Sequence, residues 1–581
     1  MRVVEINIRN FRGIKESKIL LPRHAVLVGD NNTGKSTVFE AIDLVLGPER
    51  LNRRPVINEH DFYKGQYISK DEDLESADIQ IHIIVSDLSL EQRDHFGDYA
   101  DWWDFESSRL IQSSELDQVD GDKTQQALQV TFKGKYVAED DDFEGETFFT
   151  KSLENENPQK FRKADKHKCG FLYLRTVRTG SRALSLDKGS LLDIILRLKE
   201  VRLQMWEKAI SDISAISVAS DEELGISKIL TSIAESIKKY VPKEWGVDPH
   251  LRVSNLTREH LRKIITAFIA TGEGEHSAPF FRQGTGTVNV LVLAMLSQIA
   301  EDRPNVIFAM EEPETAIPPY SQKRIVHEIK RLSTQSLFTS HSPYVLEEFE
   351  LSEAVVLSRN NDGELKQFHI ELPKNLKLKQ YRQDFRNRFC ECLLSRRVIV
   401  MEGATENSAM PAAARVLSRI DPERYSSFEE LGLSSIDAGG ESNVKGLGSF
   451  YKSLDKQVFA LCDKQGDSEK REIELEVDQL YMHQEKGFED LVIKNTTESA
   501  LIRFFRSINF PSHLQMKFPD PESQIHEAMS AYFEQKKAEW SIAEFLFQCE
   551  ESEIPLWIRE TCISLKSKCL VISNQPTVEV S

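Results

Sequence analysis

The sequence predicts an α/β chain of two α/β units in succession, the first interrupted by a helical insertion. Three observations carry this. A glycine loop, Gly29-Asp30-Asn31-Asn32-Thr33-Gly34-Lys35-Ser36-Thr37, sits between the apolar run Ala25-Val26-Leu27-Val28 and a helical pattern at Val38, Phe39, Ile42, Leu44 and Val45. Several short apolar runs end in carboxylates, as strands do when they deliver acids to one edge of an open sheet. From Ser190 onward the apolar spacing changes to i, i+3, i+4.

The loop is the most specific of these signals. Its spacing aims successive backbone N–H groups at phosphate oxygens, Lys35 reaches the β/γ-phosphates, and the Ser36 hydroxyl is placed to ligate Mg²⁺. With a strand before it and a helix behind it, the set Gly29, Asn31, Asn32, Thr33, Gly34, Lys35, Ser36 and Thr37 reads as a P-loop for ATP or GTP.

A chain of 581 residues exceeds one ordinary core and divides into three or four domains. Forty per cent hydrophobic and 29 % charged residues are typical of a folded, water-soluble chain. No run of eighteen apolar residues occurs and Met1-Arg2-Val3-Val4-Glu5 lacks the apolar core of a signal peptide, so the expected location is cytoplasmic, without a membrane partner. The seven cysteines are scattered and match neither a zinc site nor a disulfide framework. The net charge of −19 argues against non-specific coating of nucleic acid but leaves room for a local basic channel, and for carboxylates gathered around metal ions.

In order, Val3, Val4, Ile6 and Ile8 alternate as one strand and Ile19-Leu20-Leu21 begins its hairpin partner, with Arg12 in the turn. Strands follow at Ile79–Val85 and Leu128–Phe132, then an exposed acidic and basic loop or hairpin over 137–168. The strand Gly170–Leu174 brings Arg175 and Arg178 to its end, for phosphate or for solvent. Ser190 is available to cap a helix carrying Leu191, Ile194, Ile195, Leu198, Val201 and Met205, and a second helix carries Ile226, Ile229, Leu230, Ile233 and Ile237 on one face. This arm serves either a dimer contact or packing against its own domain.

The mixed pattern returns with a second glycine loop at a helix start, Gln283-Gly284-Thr285-Gly286-Thr287. Val306–Met310 is a buried strand ending at Glu311-Glu312, and Ser336–Thr339 ends at Ser340-His341. Adjacent acids at a strand end suit nucleotide hydrolysis: Glu311 holding Mg²⁺ through water, Glu312 as base or water-orienting group, His341 as a sensor of the γ-phosphate. In this order the first ~360 residues resemble the ABC-type ATPases of chromosome maintenance and DNA repair. The resemblance implies a Walker A at Gly29–Thr37, a signature at Gln283–Thr287, a Walker B at Glu311-Glu312, a switch histidine at His341, and ATP sandwiched between two heads. Glu311 stands where that family has Asp, and the signature lacks its leading Ser, which implies a slower ATPase.

Between Lys374 and Arg397 lies a basic tract (Lys374, Lys377, Lys379, Arg382, Arg386, Arg388, Arg396, Arg397), suited to a nucleic-acid backbone or to a solvated linker helix. Three further strands follow: Val398–Met401 delivers Glu402, with Glu406 in the helix beyond; Ser434–Ile436 delivers Asp437; Val458–Cys462 delivers Asp463. Carboxylates converging at one sheet edge suit Mg²⁺ or Mn²⁺, and two such ions can clamp a phosphodiester. This half resembles a Toprim domain. An ABC-type ATPase head with an inserted helical dimerisation arm, followed by a Toprim (Rossmann-like) α/β domain, is similar to the OLD (overcoming lysogenization defect) family, which includes the Gabija nuclease subunit.

That resemblance implies an ATP-regulated, metal-dependent DNA endonuclease, often antiviral. It divides the chain into the head's N-terminal part (1–185), the arm (186–245), the head's C-terminal part (246–372), a basic linker (373–397) and the Toprim domain with a helical extension (398–581). It makes Glu402, Glu406 and Asp463 the metal acids, with Asp467 substituting for a second Toprim Asp that is Gln465 here, or Glu489 and Asp490 supplying the second metal, and Lys566 or Lys568 the lysine facing the transferring phosphate. It implies a homodimer or dimer of dimers acting on DNA, alone or beside an operon partner such as a helicase or a reverse transcriptase. Gln465 keeps a second reading open, an ATP-gated scaffold with a non-cutting Toprim domain; a third, a repair ATPase, leaves the acids at 402 and 463 unused.

Overall fold

The fold is α/β. The computed structural model describes residues 1–48, 56–68, 77–111, 123–174, 185–186, 190–199, 201–214, 226–239, 257–270, 277–302, 306–315, 318–370, 383–536 and 540–571. Arg175 and Arg178, the far end of the arm and the basic residues Lys374, Lys377, Lys379 and Arg382 lie outside the described residues.

The first sheet has an antiparallel flank and a parallel centre. In the flank, β1 (Arg2–Phe11) pairs with β2 (Ile14–Leu20) and β4 (Ile79–Ser86), and the registers Ile6↔Ile83 and Ile8↔Ile81 put the alternating isoleucines on one face. The centre takes β3 (His24–Val28). The flank extends through β5 (Ala100–Asp104), β6 (Arg109–Leu110), β7 (Thr124–Val137) and β8 (Asp142–Phe149), and the parallel centre continues into β9 (Phe171–Leu174). A separate hairpin pairs β10 (Phe268–Ala270) with β11 (Ser277–Pro279). The centre is completed by β12 (Ile307–Glu311), β13 (Gln335–Thr339) and β14 (Ala354–Arg359), in the parallel order β14-β3-β13-β12-β9, and β15 (Glu364–Phe368), antiparallel to β14, links it to β2 of the flank. β12 and β13 are buried at every residue because helices cover both faces. The P-loop helix Lys35–Leu46 packs on one face, and the helices Thr285–Asp302 and Pro319–Leu332 on the other.

The second sheet is parallel throughout: β16 (Arg397–Met401), β17 (Leu433–Asp437), β18 (Gln457–Cys462) and β19 (Gln479–Met482), in the order β17-β16-β18-β19. One face is covered by the helix Ala404–Ile420 and the C-terminal helices. The other joins the first sheet in a single core that contains Val26, Val28 and Val356 together with Val398, Val400, Ala460 and Cys462. At its centre Phe389 is fully buried, with Phe450 and Tyr451 at ring-centroid distances of 5.3 and 5.8 Å.

The insertion begins where Ser190 accepts the Asp193 N–H at 3.1 Å and caps the helix Leu191–Leu198. Leu191 and Ile194 enter the shared core, so this helix packs on its own domain. Farther out, Trp206 of the helix Arg202–Ser214 is buried with Leu186 and Leu261. On the helix Ile226–Ile237 the apolar face expected from its spacing is only partly covered: Ala234 is buried, but Ile229 is 59 % and Ile233 43 % exposed. Among the described residues no helix is long and apolar enough to cross a membrane.

Truncating a buried aromatic costs its transfer free energy plus the cavity it leaves, so Phe389→Ala should lower stability by about 3–5 kcal/mol. Urea denaturation followed by tryptophan fluorescence measures this; an unchanged midpoint would mean that the shared core does not depend on that ring.

Candidate nucleotide and metal sites

The P-loop geometry follows from the strand beside it. A Cβ at Gly29 would lie 2.5 Å from the Leu357 carbonyl of β14, so the close approach of that strand demands glycine. Gly34 has φ of 116°, again a glycine conformation. Lys35 is buried and turns back into its own loop, its Nζ donating to the carbonyls of Gly29 at 2.7 Å and Asp30 at 2.8 Å. Burial lowers its pKa to about 8 against the opposing charges of Asp30 and Glu312. Thr33 bonds the Asp30 carbonyl, while Asn31, Asn32 and Ser36 are exposed, with Thr37 half-buried in the first helical turn. Arg12, in the first hairpin turn, braces the same helix through an ion pair to Glu40 and ties it to Asp61 of the turn Glu59–Asp61.

The acids of β12 stand across from this lysine. Glu311 is buried and accepts the Tyr173 hydroxyl at 2.8 Å. Glu312 leaves the strand with φ of 45°, its N–H held by the Thr339 carbonyl at 2.9 Å. A non-glycine residue in that region is strained, and such strain clusters at functional sites. Glu314, absent from the sequence reading, ties the two loops together by accepting the His341 N–H at 2.7 Å and the Ser340 hydroxyl at 3.0 Å. Burial lowers the His341 pKa, and the Lys35 charge lowers it further. Lys35, Glu312 and His341 therefore share one electrostatic neighbourhood. Gln283 is turned to the β10–β11 hairpin, donating to the carbonyls of Ile269 and Ala278, while Gly284 and Gly286 flank Thr285 at the start of the helix Thr285–Asp302.

The second group of acids gathers at the C-terminal edge of the second sheet. Glu402 follows β16, Asp463 follows β18, and Glu406 and Glu489 lie in the first turns of the helices Ala404–Ile420 and Phe488–Lys494. Glu402 accepts the Asp463 N–H and the Gln465 amide, both at 3.0 Å. Thr405 donates to Glu489 at 2.8 Å. Burial raises the Glu406 pKa to about 7, with Asp463, Glu489 and Glu402 adding like charge, and burial raises Glu402 as well. Among the described residues no three ligand-type side chains converge on one point as tightly as a coordination sphere requires.

Three of the expected site residues stand elsewhere. Asp467 is exposed at the start of the helix Asp467–Glu476 and does not join the acids. Lys566 and Lys568 are at the wrong end of the sheet, because the helix Leu556–Val571 runs antiparallel to the strands. It begins with Trp557 beside His483 and ends with the Cys569 carbonyl accepting Arg397, the first residue of β16. Lys566 is spent on the carbonyls of Pro422, Glu423 and Tyr425, and Lys568 is exposed. Arg397 of the basic tract is likewise structural, bonding Gln457, Leu431 and Cys569.

His483, missed in the sequence, directly follows β19 on the acid edge, its Nε2 2.8 Å from Asp463 Oδ1. The short run Gln479-Leu480-Tyr481-Met482 lacks β-branched residues, and only the parallel register Ala460↔Leu480 reveals it as a strand.

Residues 1–346 match the model of the AAA ATPase domain, and residues 393–464 that of the overcoming lysogenization defect protein-like TOPRIM domain. Among solved structures, the chain is similar to the SmcHead bound to the C-winged helix domain of ScpA (14 % identity, 63 % of this chain and 97 % of that one, TM-score 0.34). Others are the SMC head domain from Thermotoga maritima (13 %, 64 % and 100 %, 0.30) and Stu0660 of Streptococcus thermophilus (12 %, 67 % and 86 %, 0.32). No curated protein matches the chain.

Lys35→Ala should abolish binding of a fluorescent ATP analogue, whereas Glu312→Gln should bind it and hydrolyse ATP roughly 100-fold more slowly or worse. Undiminished affinity in the first variant, or undiminished turnover in the second, would remove those residues from the site.

Proposed function

The chain belongs to the AAA ATPase domain family and joins that domain to an OLD-like TOPRIM domain, the pairing of the OLD family, and from this premise we propose that it is an ATP-regulated, divalent-metal-dependent DNA endonuclease of anti-phage defence. In this reading residues 1–185 and 246–372 form the ATPase head, 186–245 the dimerisation arm, 373–397 the linker and 398–581 the nuclease unit.

The observation that carries the proposal is the meeting of Glu402, Glu406, Asp463 and Glu489 at one sheet edge. Burial, and after it the like charge of Asp463, Glu489 and Glu402, raises the Glu406 pKa; a cation would relieve both. Oxygen donors suit Mg²⁺ or Mn²⁺, which would supply Lewis-acid activation of a phosphodiester and of water. Glu402 and Asp463 are the residues to hold such an ion, with Glu406 and Glu489 beside them. At the other site, Gly29–Thr37 would cradle the ATP phosphates, Ser36 and Glu311 serve its Mg²⁺, Glu312 orient water and His341 face the γ-phosphate. Lys35 would exchange two carbonyl partners for phosphate oxygens.

The Gln283–Gly286 loop is then offered to the nucleotide of a second copy. Phe281 and Val290, on either side of that loop, are 59 % and 54 % exposed, which supports a homodimer, and the exposed Ile229 and Ile233 support a further contact through the arm. A non-cutting scaffold is the second reading, favoured by the Gln465 amide, which donates to Glu402 where the family has a carboxylate.

Purified protein with Mn²⁺ or Mg²⁺ should nick or linearise supercoiled plasmid, and Asp463→Ala should lose this completely. Binding of DNA without any cleavage, in either metal and with or without ATP, would favour the scaffold. For assembly, Ile229→Asp/Ile233→Asp should reduce the oligomer by light scattering. An unchanged mass would assign the arm to packing within the chain.

A further inference from the structure

We propose that His483 is a nitrogen ligand of the metal site at the Toprim acids, giving it a mixed nitrogen and oxygen donor set that favours Mn²⁺ over Mg²⁺. The inference rests on the reading of those acids as a cation site and adds a donor that acid motifs do not predict.

The residue is at the right edge. β19 is the fourth parallel strand, next to β18, so His483 leaves the sheet on the same side as Asp463. The imidazole is 2 % exposed and is walled edge-on by Phe488 and Trp557, with ring centroids at 6.1 and 5.2 Å. It therefore has a fixed orientation.

Its partners are the second observation. Nε2 lies 2.8 Å from Asp463 Oδ1, yet this contact lacks hydrogen-bond geometry, and Nδ1, Nε2 and Oδ1 are all buried without a hydrogen-bond partner. Buried polar atoms in native proteins find partners, and the two orphans that face each other, Nε2 and Oδ1, call for a common one. Neighbouring ligand atoms on an octahedral ion with ~2.1 Å bonds stand ~3 Å apart, close to the separation found here. Mg²⁺ prefers oxygen alone, whereas first-row transition ions accept imidazole. Glu402 and Glu406, on the adjoining strand end and helix turn, would have to draw in toward the ion to add oxygen donors.

The test uses nucleotide-free, full-length protein and Mn²⁺ as the probe. Electron spin-echo measurements on the wild-type protein loaded with Mn²⁺ should show coupling to ¹⁴N. His483→Gln, checked for native folding by circular dichroism, should lose that coupling and bind Mn²⁺ on the order of 10–100-fold more weakly, with a smaller preference over Mg²⁺ in competition. Mn²⁺ bound without nitrogen coupling, or with equal affinity in the folded variant, would overturn the assignment while leaving the acid site intact. Failure of the wild-type protein to bind Mn²⁺, or binding that Asp463→Ala leaves unchanged, would overturn the acid site itself.

Discussion

The structure depends on one shared apolar core. β3, which feeds the P-loop, and its neighbour β14 pack into the same cluster as β16 and β18 of the second sheet. Close-packed interiors transmit displacement rather than absorb it, so the two sheets form one mechanical unit. A polar contact reinforces the junction: Ser358 of β14 donates to Asp455 at 2.6 Å. The adjacent Lys456 is half-buried and bonds the carbonyls of Leu393 and Ser395, while Asp30 of the P-loop is the largest charge offsetting its desolvation. From that turn β18 runs six residues, roughly 20 Å at strand rise, to Asp463. One straight element thus has the P-loop near its first residue and the gathered acids at its last.

The two sites are electrostatic opposites built by the same device. In each, burial holds ionisable groups where their charged forms are disfavoured. At the P-loop the strained group is an ammonium resting on its own carbonyls, ready for an anion. At the second sheet the strained groups are carboxylates, ready for a cation. Each arrangement costs stability while unliganded and returns it as binding free energy, so both ligands should also stabilise the fold.

What was legible in the sequence was local. The P-loop has its strand, loop and helix in the continuous stretch His24–Leu46, and acids after Val398–Met401 and Val458–Cys462 announce a sheet edge because apolar strands are easily recognised. What was hidden depended on direction and on distant partners. Lys566 and Lys568 matched a motif, but the antiparallel course of their helix carries them a strand's length from the acids. Arg397 looked like part of a basic surface, and only the returning C-terminal helix and the Leu431 carbonyl turn it into a brace. Ile229 and Ile233 had helical spacing, yet periodicity states that a face is apolar, not what covers it.

Gln465 is the departure that most invites a reading of lost function, and the geometry supports another account. A carboxylate there would add a further negative charge against Glu402, whose pKa is already raised. The amide instead donates to Glu402 and fixes its orientation at 3.0 Å. If His483 supplies a nitrogen to the same ion, the site gives up one carboxylate at 465 and gains one imidazole at 483. The number of donors is then conserved while the charge falls by one. Such an exchange alters which metal the site prefers without emptying it, because ligand type and geometry set the selectivity among divalent ions.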